Sequence, residues 1–255
     1  MKFVTVSGPP SSGKTAVILK TLDHIRRNDR RVGVVKFDCL ATDDDELYRK
    51  HGIPVRKGLA GALCPDHYFV SNVEECVQWG LAERLDLLVS ESAGLCNRCS
   101  PHIRHVLAVC VIDNLSGIGT PKKIGPMLKA ADQVVITKGD IVSQAEREVF
   151  AARVHAVNAK ADILHVNGIT GQGSFELSTL WEAGEETVTV EGKTLRFSMP
   201  AALCSYCLGE TRIGSEFQMG NVRKIDLQMP GGLPQRGAVS GRAKTETGGE
   251  EGQDA

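Results

Sequence analysis

GPPSSGKT, residues 8–15, follows the apolar run KFVTVS (2–7) and opens a helix-like stretch, 14–28. The octet fits G-x-x-x-x-G-K-S/T at every fixed position, and strand before, helix after is the context a phosphate loop requires. In such a loop the backbone N–H groups and the helix N-terminus converge on phosphate oxygens. Pro9 and Pro10 have no N–H, so the donors must come mainly from Ser11, Ser12, Gly13, Lys14 and Thr15. Gly8 and Gly13 are the fixed glycines. Lys14 is expected to reach the β- and γ-phosphates, and Thr15 to ligate Mg2+. The competing reading, a glycine-rich turn that binds nothing, is outweighed by the full match in its proper context.

Outward from this loop, RVGVVKF (31–37), LDLLVSE (85–91), VLAVCVID (106–113), QVVITK (133–138) and ADILHVN (161–167) are short runs rich in Val, Ile and Leu. They lack alternation, as strands covered on both faces should. Helical patterns at 72–84, 122–131 and 143–158 fall between them. The alternation predicts an α/β P-loop NTPase domain over residues 1–180, with a mainly parallel sheet and helices on both faces. TVTVEGKTLRFS (187–198) alternates about a Glu-Gly-Lys turn and predicts a hairpin in a small β-rich, cysteine-containing appendage, residues 185–229. Residues 230–255 are Gly, Pro, Ser and charged, and are expected to be disordered.

With 255 residues, 42% of them apolar, and a net charge of −1, the chain has the composition of a globular protein with no general affinity for nucleic acid or anionic membrane. No run approaches the roughly 20 apolar residues of a membrane span. MKFVTVSG has no secretory h-region, so a cytoplasmic location is expected. Eight cysteines in that setting point to metal or redox chemistry rather than a disulfide framework.

Thr137-Lys138-Gly139-Asp140 closes an expected strand. A carboxylate here can accept both N1–H and N2–H of guanine, whereas adenine would leave it unpaired at about 1–3 kcal/mol. Alone the tetrapeptide reads equally well as a charged turn; behind a phosphate loop it favours GTP. The tetrapeptide resembles the N/T-K-x-D motif of GTPases, and VNGITGQG (166–173) follows the next strand, where that resemblance implies a second base-contacting loop.

Taken together, GPPSSGKT, DCLATDDDE after Phe37, LLVSESAG, the Val109–Asp113 strand with Lys122 and Lys123 beyond it, and TKGD resemble the CobW/HypB/UreG metallochaperone GTPases of the SIMIBI class over residues 1–180. The resemblance implies a GTPase that delivers metal or a metallocofactor to a client enzyme or assembly protein, and that dimerises across its nucleotides. It implies that Asp38 holds a magnesium-bound water or the attacking water, that Thr42 and Asp45 belong to a first switch, and that Glu91 acts on magnesium through water. It also places Lys122 or Lys123 against the other subunit's nucleotide, although an exposed lysine pair is as good a reading. Asp43, Asp44 and Glu46 read as a solvated helix start, favoured by the helix dipole.

Cys96 and Cys99 come directly after the Glu91 strand, and C-x-x-C lets two thiolates face one metal. Ser100-Pro101 resembles a helix start that would put His102 within a turn of Cys99. In the resembled family a Cys-His pair stands near Cys64 and His67, here separated by Pro65 and Asp66. Such nitrogen and sulfur ligands suit zinc, nickel or a 4Fe–4S cluster. Cys204 and Cys207 form a second C-x-x-C that the resemblance leaves unexplained; they can complete the first site, form one of their own, or staple the appendage. A redox dithiol at Cys96 and Cys99 is the rival reading. Two other function classes stay open: a small-molecule kinase on the same loop, and a zinc or iron–sulfur regulatory module whose nucleotide is structural.

Overall fold

A computed structural model describes residues 1–197, 211–218, 220 and 222–227. Cys204 and Cys207, much of the expected appendage and the 230–255 tail lie outside the described residues.

The chain runs β1 (Lys2–Ser7), α1 (Lys14–Arg26), β2 (Val32–Asp38), α2 (Asp44–Lys50), β3 (Val55–Leu59), α3 (Pro65–Val70) and α4 (Val73–Ala82). It continues through β4 (Leu87–Ser92), β5 (Leu107–Asp113), α5 (Thr120–Lys123), α6 (Pro126–Lys129), β6 (Gln133–Thr137), α7 (Gln144–Val157), β7 (Asp162–His165) and α8 (Ser174–Glu182). The seven strands form one sheet in the order β3-β2-β4-β1-β5-β6-β7, every pairing parallel. The P-loop NTPase fold expected from the apolar runs is therefore the fold observed. Because all strands point the same way, every loop that follows a strand opens on one rim, where open α/β sheets bind ligands.

Six expected strands form. The seventh, β3, went unread because Arg56 and Lys57 interrupt its apolar run. Tertiary partners absorb both charges: Arg56 lies 4.8 Å over the Trp79 ring and Lys57 reaches Asp45 at 2.9 Å. The helix expected over 122–131 is instead α5 and α6, broken at Gly125, which has φ 47 and precedes Pro126. The expected hairpin does not form. Thr194 bridges Arg212, Leu195 bridges Ile103, and Glu74 takes the N–H groups of Val190 and Glu191. Arg196 then locks this segment to the domain, donating to both Asp132 carboxylate oxygens and to the carbonyls of Ile103, Val106 and Ala130. Among the described residues no helix is long and apolar enough to cross a membrane.

Two apolar layers sandwich the sheet. One joins α1 and α8 through Val17, Leu22, Leu177 and Trp181; the other joins α3 and α4 through Phe37, Tyr68, Phe69 and Val77. Trp181 is fully buried. Trp181→Ala should lower stability by about 3–5 kcal/mol, read as a lower urea midpoint with an unchanged m-value.

Candidate functional site

The phosphate loop leaves β1 through Gly8, whose φ of 145 takes the backbone past Val111; a Cβ at Gly8 would lie 2.0 Å from the Val111 carbonyl oxygen. Lys14 opens α1, buried, and curls back to donate to the carbonyls of Gly8 (3.0 Å) and Pro9 (2.9 Å). Burial lowers its pKa to about 8, against the pull of Glu91. Ser12 Oγ is buried with no hydrogen-bond partner among the described residues.

Beside the loop opens a cleft of about 990 Å³ lined in part by Lys14, Thr15, Lys36, Asp38, Asp44 and Glu91. Glu91, at the end of β4, is its hub. Oε1 accepts from Thr15 Oγ1 (2.9 Å) and Lys36 Nζ (2.8 Å), and Oε2 accepts from the Tyr48 hydroxyl (2.7 Å). Lys36 Nζ also stands 2.6 Å from Asp44 Oδ2 and 3.8 Å from Asp38 Oδ2. Burial works to lower the Lys36 pKa, but Glu91 and Asp44 outweigh it and hold it above the ordinary lysine value. Burial likewise opposes ionisation of Asp44, and Lys36 more than compensates, keeping that carboxyl below its usual range. Asp44 is thus no solvated helix residue: the expectation for it fails because β2 delivers a buried ammonium to meet it. Asp45 is buried too, pinning α2 to β3 through Lys57 and to Arg49.

Across the loop, Thr137 Oγ1 donates to the Ser12 carbonyl (2.7 Å) and Lys138 Nζ to the Ser11 carbonyl (2.8 Å). The TKGD turn is therefore fastened to the phosphate loop. Asp140 is exposed and lines an open cavity of about 720 Å³ with Gly139, Asn167, Gln172 and Gly173, so the two expected base loops are neighbours. Lys122 and Lys123 are exposed on α5, outside both cavities.

Past Glu91 the chain turns at Gly94, with φ 68, where a Cβ would lie 1.7 Å from the Gly8 carbonyl oxygen. Cys96 and Cys99 follow, their sulfurs 3.9 Å apart. Two thiolates 2.3 Å from one tetrahedral ion would be separated by roughly 3.8 Å. The third group here is one the sequence reading passed over. A carboxylate oxygen of Asp66 and both sulfurs all lie within 4.8 Å of one another. Asp66 is 2% exposed, and burial with nothing offsetting it pushes its pKa up to about 7. Burial also raises Cys99, and Asp66 adds to the effect; burial takes Cys64 to about 11, with Asp66 again adding. Cys64 is thus close by, while His67, buried on the same helix, is outside the three-residue group. Adjacent helical residues project about 100° apart, which sets the His67 ring at a different angle from the Asp66 carboxylate.

Residues 100–102 are not helical, contrary to the reading of Ser100-Pro101. His102 is instead buried against β1, with Nδ1 2.9 Å from Thr5 Oγ1 and Nε2 3.0 Å from Ser7 Oγ. The turn carrying the cysteines is thereby tied to the strand that delivers the phosphate loop.

The family profile described as CobW/HypB/UreG, nucleotide-binding domain, matches residues 2–165, which span this rim from β1 to β7. The chain belongs to the CobW/HypB/UreG family. An uncharacterized protein of Methanocaldococcus jannaschii is 46% identical over 226 residues, covering 89% of this chain and 97% of that one. The urease accessory protein UreG of Natronomonas pharaonis is 26% identical over 180 residues, 62% of this chain and 82% of its own. Among solved structures, the hydrogenase maturation factor HypB of Archaeoglobus fulgidus superposes with a TM-score of 0.57 at 22% identity, covering 72% of this chain and 89% of that one. HypB of Helicobacter pylori, solved in complex with nickel, superposes at 0.55 and 18% identity over 73% and 90% of the respective chains. At these identities the two structures bear on the shared CobW/HypB/UreG fold alone.

Burial pushes the His102 pKa down to about 3. The neutral ring is the folded form, so its contribution is complete above the unfolded value of 6.5 and is lost as pH falls from there toward 3. His102→Gln should be less stable than wild type at pH 7. The gap should close by up to about 1.4 kcal/mol per pH unit on acidification, as measured by urea denaturation at several pH values.

Proposed function

We propose that this chain is a GTPase that couples nucleotide binding and hydrolysis to delivery of a transition metal, or a metallocofactor, to a client metalloenzyme. The observation that carries the reading is the contact of Gly94 with Gly8. Four residues separate Glu91, in the nucleotide cleft, from Cys96, in the thiol cluster, and among them Gly94 rests its backbone on the phosphate loop. A change at the phosphates is thus felt at the thiols.

The donor sets suit two different ions. Thr15 Oγ1 and the Glu91, Asp38 and Asp44 carboxylates are hard oxygens, appropriate to magnesium. Bound there, Mg2+ would neutralise charge on the β- and γ-phosphates. Lys14 exchanges the two loop carbonyls for phosphate oxygens, which restore the charge stabilisation that burial removes. Asp38 and Glu91 orient water, and Asp140 accepts the guanine N1–H and N2–H. Cys96 and Cys99 with Asp66 form a softer set appropriate to zinc or nickel, with Cys64 at hand as a fourth. The metal is cargo. Because burial holds the thiols of Cys64 and Cys99 protonated, loading releases protons and tightens as pH rises.

Relatives named as hydrogenase maturation and urease accessory proteins, one solved with nickel, support a metalloenzyme client. The family resemblance supports a cytoplasmic dimer that encloses the nucleotides, with Lys122 or Lys123 reaching across.

Lys14→Ala should abolish GTP binding, and Asp140→Asn should erase most of the preference for GTP over ATP, a loss of about 1–3 kcal/mol in a calorimetric comparison. Cys96→Ala with Cys99→Ala should keep GTP affinity and lose tight zinc or nickel uptake in elemental analysis of anaerobically purified protein. Equal metal content in variant and wild type would remove the thiol site from the reading.

A further inference from the structure

β2 reads VGVVKFD, and six of its seven residues are buried. Lys36 is one of them, a charged residue inside an otherwise apolar strand with only 3% of its side chain exposed. A lysine is found so deep only when it is paired. Its partners come from three directions: Glu91 on β4 at 2.8 Å, Asp44 on α2 at 2.6 Å, and Asp38 at the end of β2 at 3.8 Å. The Glu91 oxygen it holds, Oε1, is the one that also receives the Thr15 hydroxyl. Tyr48 fixes the other oxygen, so Glu91 is not free to turn away.

We propose that the Lys36 ammonium stands where a divalent ion would otherwise settle, held by Glu91 and Asp44 beside Asp38 in the nucleotide-free protein, and excludes magnesium until it arrives with nucleotide. This rests on the reading of Thr15 and Glu91 as the magnesium side of a GTP site. A cation at Thr15 Oγ1 and near Glu91 Oε1 meets an ammonium sharing that same oxygen, and like charges at such separations in a poorly solvated cleft repel strongly. Three clustered carboxylates without the lysine are a hard-oxygen set that attracts a divalent ion. With it, a free ion gains little. A triphosphate gives Lys36 phosphate oxygens to exchange for Glu91, leaving Glu91 Oε1 to face the arriving ion. That exchange releases the only ammonium joining Asp44, and with it the start of α2, to β4 among the described residues. Lys36 is therefore a positioning residue that makes metal and nucleotide bind as a pair.

The test is Mn2+ binding to nucleotide-free protein, followed by the electron paramagnetic resonance signal of the free ion. Wild type and Lys36→Arg, which keep the charge, should show no tight site. Lys36→Met should bind Mn2+ at least about tenfold more tightly and gain thermal stability on adding it. Adding Glu91→Gln to Lys36→Met should remove both effects, locating the ion in this cleft. Equal Mn2+ affinity in wild type and Lys36→Met would overturn the proposal. So would tight Mn2+ binding by nucleotide-free wild type, a measurement that stands even if the methionine variant does not fold. GTP binding by wild type with Mg2+ present, measured alongside, separates the two readings: no binding overturns the functional reading, whereas binding leaves the Mn2+ comparison to decide this one.

Discussion

At the centre of the rim, two glycines allow one backbone to lie directly on another. A methyl group on Gly94 would come within 1.7 Å of the Gly8 carbonyl oxygen, and one on Gly8 within 2.0 Å of the Val111 carbonyl oxygen. Three consecutive strands of the sheet, β4, β1 and β5, are thus brought into contact through their outgoing turns, with no side chain between them to cushion a displacement. Packed interiors transmit small shifts because they have no slack. The cysteine turn, the phosphate loop and the strand beneath them form one mechanical unit, and His102 braces it from below by bonding Thr5 and Ser7.

Around this unit the charges are arranged so that each buried ion has a partner and each partner is shared. Glu91 serves Thr15, Tyr48 and Lys36; Lys36 serves Glu91, Asp44 and Asp38. Asp66 is the exception, buried with a raised pKa and with no cationic partner among the described residues. Its carboxyl costs stability to keep ionised, and it lies against Cys96 and Cys99, of which Cys99 has its own ionisation opposed by burial. A few residues thus separate a cluster in which an ammonium meets the carboxylates from one in which a buried carboxyl meets two thiols.

Much of this was legible in the chain because its signals are local. The phosphate loop, TKGD and the first C-x-x-C each carry their chemistry within eight residues, and six strands announced themselves as apolar runs. What was missed depends on burial across sequence distance. Asp44 looked like an ordinary acidic helix start, and only the ammonium from β2 makes it part of the site. Lys36 was hidden in plain view: a lysine within VGVVKFD was itself the signal, since a central strand has no solvent to offer it. Asp66 was overlooked because the ligand types on either side, Cys64 and His67, drew the reading. The hairpin failed because alternation records which faces are polar, not which strand is the partner. Glu74, Arg212 and Ile103 outcompeted the local pairing.

The segment beyond α8 reaches back to the thiol turn. Arg196 donates its backbone N–H to the His102 carbonyl and its guanidinium to the Ile103 and Val106 carbonyls, just downstream of Cys99. Farther on, Gln218 and Lys224 reach the Ser71 carbonyl and Ile225 donates to Asn72, at the end of the helix that carries Asp66. Both flanks of the Cys96–Cys99 turn are therefore held by the segment that follows α8. A displacement of this segment is therefore carried to the Cys96–Cys99 turn from two sides, through carbonyls that only a properly seated Arg196 and Lys224 can reach.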